Sequence, residues 1–192
     1  CMGDGQSATF NVEYGEDKKS ASIGFVEPWF LDYPITLGTS LSYAWWNQDD
    51  DPDITRYGGS IYVGKRLTWP DDYFYGQIGY SWMMNKQGGN VDGSLVRYSG
   101  IESAVTFKLI RDDKNLPQFP TDGSRYVLSV EVADDIIGSD FSFVKTDLTV
   151  KWWFPLIGDR VALALTNEYG IMVGNPLQYR TLYQMGGVLG YD

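Results

Sequence analysis

Phe119-Pro-Thr-Asp-Gly-Ser-Arg125, followed by Tyr126-Val-Leu-Ser-Val-Glu-Val132, reads as a tight turn feeding a strand. Pro120 fixes its own φ and restricts Phe119. Thr121 leads into Asp122-Gly123, a carboxylate that can bond its own backbone and then a residue that tolerates positive φ. Beyond the turn the chain alternates. Tyr126, Leu128, Val130 and Val132 share one face, and Arg125, Ser129 and Glu131 share the other. A period of two with one apolar and one polar surface is a strand.

The same period recurs along the chain. Over 144–154, Val144, Thr146, Leu148, Val150, Trp152 and Phe154 oppose Lys145, Asp147, Thr149 and Lys151. Over 160–169, Val161, Leu163 and Leu165 oppose Arg160, Thr166 and Glu168. Segments 35–46, 74–82 and 101–110 follow the same rule, and 7–15, 19–27 and 56–67 follow it more weakly. The pattern predicts an all-β chain of about nine antiparallel strands, with no convincing helix. The clear runs are about ten residues long, the length a tilted strand needs to cross a bilayer; strands of soluble sandwiches are nearer five or six. The polar face carries small residues and charges of both signs where a soluble barrel would pack its core. Apolar-out with a hydrated lumen fits that pattern. The opposing reading is a soluble β protein with a large aromatic core.

Composition narrows the function classes. The 192 residues suffice for one domain, expected to be a single partial barrel over 1–192. Mean hydropathy is −0.26, and no apolar run is long enough for a spanning helix. A barrel remains open, because alternation averages to a soluble-looking hydropathy. A formal net charge of −10 argues against a nucleic-acid partner. Histidine is absent and the one cysteine is Cys1, so a Cys/His zinc site and an intrachain disulfide are excluded. Cys1 could bear a lipid, but a chain cut from a longer protein is the expected reading.

The connections are of two kinds. One set is built on proline: 27–34, 69–72, 119–123 and 154–159. The other is longer and polar: 47–53, 85–93 and 134–140. Short turns at one end and long loops at the other is the outer-membrane arrangement. Trp29, Phe30, Trp69, Trp152, Trp153 and Phe154 crowd the proline end, as rings at a membrane interface do.

Candidate sites are few. Asp49-Asp50-Asp51-Pro52-Asp53 offers hard oxygen ligands, yet lacks the glycine spacing and terminal Glu of a calcium loop. A solvated acidic loop is its ordinary reading, so no metal or other cofactor is expected. Lys145, Asp147 and Lys151 share the polar face and can form an ion-pair ladder in the lumen. Glu131 and Glu168 face the same way, to receive an arginine from an inserted loop or simply to meet water. No serine lies in a nucleophile-type motif, so catalysis has little support.

The turn Phe119–Arg125 resembles the turn motif of the BamA family, the β-barrel assembly proteins of the bacterial outer membrane. Val26-Glu-Pro-Trp-Phe30 before Ile35–Leu41 is similar to that family's proline-aromatic turn, and Phe154-Pro155 stands where the next hairpin should close. Tyr183-Gln-Met-Gly186-Gly187, then Gly190-Tyr191, resembles the start of the loop that folds back into the lumen. Leu189 stands where that loop's arginine would be; the arginine is lost, or lies beyond Asp192.

The resemblance implies the middle strands of a larger barrel, of about 16 strands, in the outer membrane of a Gram-negative bacterium. It further implies a non-enzymatic role, in which unfolded outer-membrane proteins are folded and inserted into the lipid bilayer. Periplasmic domains and lipoprotein subunits would be partners, and no nucleotide would be used. A two-partner secretion or translocation pore, or a passive channel, is the alternative expectation. An outer-membrane enzyme is disfavoured by the missing histidines.

Overall fold

The computed structural model describes residues 5–47, 53–91, 94–158 and 161–174. Nine strands form one antiparallel sheet in sequence order, β1 to β9. They are β1 Ser7–Tyr14, β2 Lys18–Glu27, β3 Ile35–Trp46, β4 Asp53–Arg66, β5 Phe74–Val91, β6 Ser94–Asp112, β7 Gly123–Ala133, β8 Phe143–Ile157 and β9 Val161–Gly174. Every strand expected from alternation is present. Among the described residues there is no α-helix, only 3-10 turns at Phe30–Asp32 and Asp135–Ile137.

Register fixes the two faces. Residues directly opposite in an antiparallel pair share a face. One row reads Leu109, Leu128, Leu148 and Tyr169; the adjacent row on the other face reads Lys108, Ser129, Asp147 and Gly170. The apolar face is open to its surroundings: Phe10 is 74% exposed, Leu41 56%, Phe107 50% and Ile171 63%. A soluble sandwich would cover such residues. Here the largest apolar side chains form a continuous outer surface, which only a lipid environment or a partner makes stable.

The polar face packs by small residues and by rings laid over glycine. Gly38 is opposite Tyr62, whose ring occupies the space that a Cβ on Gly38 would need. Gly64 is covered likewise by Tyr75. A small core of Ala104, Ala133 and Phe143, with Phe141 and Met172 against it, closes one end of this face.

Two expectations on the connections are corrected. Residues 85–93 are largely strand: β5 runs 18 residues and β6 19, paired out to Val91 opposite Ser94. Gly88, Gly89 and Asn90 looked like loop, but ladder pairing carries them, and Asp92-Gly93 is itself a hairpin signal. Phe154-Pro155 does not close a hairpin; β8 passes through it to Ile157 with an irregularity between Pro155 and Ile157. A bulge is where a strand tolerates a proline that cannot donate to the ladder. Clear strands also exceed ten residues, reaching 14 in β4 and β9 and 15 in β8.

The sheet is open. β1 and β9 are its edges, and the described residues do not pair them with each other. Unsatisfied edges in lipid cost several kcal/mol per group, so these nine strands are a barrel portion completed by further strands.

Candidate functional site: a turn clamp, a charged face and a guarded edge

The turn at 119–125 is held by residues that precede it. Asn115 accepts at Oδ1 from the amides of Thr121 (3.0 Å) and Asp122 (3.2 Å), and its Nδ2 donates to Thr121 Oγ1 at 2.8 Å. Asp122 Oδ1 accepts from the amide of Gly123 at 2.9 Å. Gly123 has φ +106°, and a Cβ there would lie 2.6 Å from the Asp113 carbonyl oxygen. Asp113 Oδ1 accepts from the Ser124 amide (2.6 Å) and hydroxyl (2.8 Å). Burial pushes the Asp113 carboxyl up, but bonds from Ser124 and Arg111 outweigh it and hold the group below its usual range. Phe119 is 80% exposed at the tip and Pro120 follows it into the turn.

Arg111 ties this clamp to the neighbouring hairpin. It bonds Asp113 through Nη1 and Asp71 through Nε at 3.1 Å, and lies over the rings of Tyr73 (5.6 Å) and Phe74 (6.0 Å). Across the sheet, Trp152 Nε1 donates to the Tyr126 hydroxyl at 2.9 Å with the rings edge to face. Paired polar tips on apolar rings suit a membrane interface. Arg111, Asp71, Asp113 and Asn115 were not singled out in the sequence. The polar run Arg111-Asp-Asp-Lys-Asn115, directly ahead of the turn, was the available signal.

The candidate lumen charges fall on one face, in two groups. Glu131 is directly opposite Lys145, and Lys145 pairs with Asp147 at 3.6 Å. Arg125 is opposite both Asp112 and Lys151; Asp112 binds Arg125 at 3.6 Å and Lys114 at 3.3 Å. At 3.6 Å the Arg125 contact is electrostatic and not a hydrogen bond. Glu168, opposite Thr149, lies on the same face one step from Lys151. Glu102 also lies on this face, in register with Met83.

The connection 134–142 guards an edge. β7 leaves β6 at Ala104, so the next part of β6 lacks its neighbour. Asp140 replaces it: Oδ2 accepts from the Ile101 amide at 2.6 Å, and its own amide donates to the Ile101 carbonyl at 2.7 Å. Asp134 shapes the connection, accepting from the Ile136 amide (3.1 Å) and the Ser142 hydroxyl (3.0 Å). Bonding with Asp135, then Ile136 and Ser142, holds Asp134 below the usual carboxylate range; its partner Asp135 is raised by the same contact.

Gly186, Gly187, Gly190 and Tyr191, the expected start of the lumen loop, lie outside the described residues, as do Asp49, Asp50, Asp51 and Pro52. Among the described residues no group of three or more carboxylates or thiols is placed to hold a metal ion.

The comparisons with known proteins agree with this geometry. The crystal structure of BamA from Haemophilus ducreyi lacking POTRA domains 1-3 superposes with a TM-score of 0.73 at 18% identity. The match covers 91% of this chain and 36% of that one, so this chain spans about a third of the length of the crystallised chain that it matches. No curated protein matches the sequence. The Omp85 superfamily domain matches residues 1–190, nearly the whole chain. The nine-stranded sheet, its lipid-type outer face and that match together place it: this chain belongs to the Omp85 superfamily, an outer-membrane family of protein-insertion and translocation barrels.

Proposed function

We propose that this chain is the middle of a BamA-type assembly barrel, which folds and inserts other β-barrel proteins into the outer membrane of a Gram-negative bacterium. Residues 1–192 then form one partial barrel domain, and the clamped Phe119–Arg125 turn lies at its periplasmic rim. The observation that carries the reading is that turn. Its residues resemble the BamA motif, and Asn115, Asp113 and Arg111 spend their bonding capacity on holding it. Its partners are unfolded outer-membrane proteins, the lipid bilayer and lipoprotein subunits of an assembly complex. The charged face of Glu131, Lys145, Asp147, Lys151 and Glu168 acts as a hydrated, ion-paired wall facing the substrate path. The role is scaffolding and not enzymatic.

Depleting the parent protein tests this. The expected result is a general fall in folded outer-membrane barrels within the cell envelope. Normal levels of other barrels, with loss of one exported protein or of a conductance, would replace the reading with a secretion pore or channel.

A further inference from the structure

The strand ends away from the proline turns carry two cations among aromatic rings on the apolar face. Register aligns Tyr14, Lys19, Trp45, Thr55 and Lys86 in one row across β1 to β5. Lys19 Nζ stands 5.3 Å from the Tyr14 ring centre and 4.7 Å from that of Trp45. Lys86 Nζ stands 5.2 Å from the ring of Tyr57, which is on the same face one step nearer the middle of the sheet. Neither lysine is in an ion pair among the described residues. The contrasts are informative. Lys18 points to the opposite face and pairs with Glu13 at 2.8 Å. Arg111, on the apolar face at the other end, is neutralised by Asp71 and Asp113.

A lysine on the lipid side of a barrel is costly at the bilayer midplane and nearly free at the interface. Tyr and Trp rings settle at that interface. A lysine lying against such a ring runs its aliphatic stem along the apolar surface and delivers the ammonium to headgroup height. The row is inclined because barrel strands tilt, so the ring under each lysine sets its height. The ring face accepts part of the charge, and three N–H donors remain to be satisfied. The anions present at that height are lipid phosphates.

We infer that Lys19 and Lys86 are anchor points for phosphate-bearing lipid headgroups on the outside of the barrel at this rim. The inference rests on the membrane-barrel fold and is independent of the assembly role. The two lysines are three strand spacings apart, about 14 Å, so each takes a separate phosphate. Their ring contacts hold the ammonium groups ready, so binding orders little that is not already ordered.

The test uses the full-length protein in detergent and native mass spectrometry. The probes are bisphosphorylated lipid A, its dephosphorylated form, and phosphatidylglycerol. Wild-type protein is expected to retain bisphosphorylated lipid A over the dephosphorylated form. Lys19→Gln and Lys86→Gln should each lower retention about fivefold, with Lys→Arg at either position restoring it and Lys18→Gln leaving it unchanged. Equal retention of phosphatidylglycerol would keep the phosphate site and extend it to glycerophospholipids. Equal retention of phosphorylated and dephosphorylated lipid A by wild type would overturn the inference without need of any variant. So would a folded Lys19→Gln/Lys86→Gln protein that binds like wild type.

Discussion

Gly123 stands where backbone conformation and space both demand glycine. Its φ of +106° strains any L side chain, and a Cβ would lie 2.6 Å from the Asp113 carbonyl oxygen and 2.7 Å from Lys114 Cα, backbone atoms that cannot swing aside. Gly123→Ala is expected to cost about 1–3 kcal/mol, read by urea unfolding of the full-length protein in detergent; unchanged stability would remove the clamp from the account. Asp113 makes a second test. Its carboxyl is depressed in the fold, so the stability it contributes is fully present above its ordinary value of 3.8 and is lost as pH falls through the lower folded value. Asp113→Asn should lose about 2 kcal/mol at neutral pH and flatten the acid limb of the stability profile. A variant with the wild-type acid limb would contradict this. The sequence showed the turn because Pro120, Asp122 and Gly123 each carry a local conformational signal. It did not show Asn115 or Arg111 as their clamp, since side-chain bonding across six to forty positions leaves no periodic trace.

At the scale of elements, edges decide what is stable. β6 outruns β7, and Asp140 supplies the missing neighbour for Ile101 through one carboxylate and one amide. Asp140→Ala is expected to expose the Ile101 amide, with faster hydrogen exchange confined to peptides around 99–103 and little change in β8. Exchange at Ile101 equal to wild type would mean that another group covers the edge. All nine strands were legible, because one face of each is apolar and the alternation recurs along the chain, more weakly in β1, β2 and β4. The reach of β5 and β6 was hidden. The outer end of β5 carries Gly88, Gly89 and Asn90, which read locally as loop, and it is pairing with the outer end of β6 that makes it strand. Pro155 was read as a stop for the converse reason: a proline ends a strand by local rules, while a bulge lets β8 continue past it.

For the whole molecule, the sheet presents an apolar surface outward and a charged, glycine-and-ring surface inward, and it is unfinished at β1 and β9. The fold class and the family could be seen in the sequence because barrel alternation and the Phe119–Arg125 turn are local. Reconstitution tests the assembly reading most directly. Full-length protein with its accessory subunits is placed in liposomes, and the folding of a separate, urea-unfolded outer-membrane barrel into those liposomes is followed by protease protection. The account predicts folding clearly faster than into empty liposomes, with the acceleration reduced by Gly123→Ala. Liposomes that conduct ions yet fold the substrate no faster than empty ones would contradict it and leave a pore.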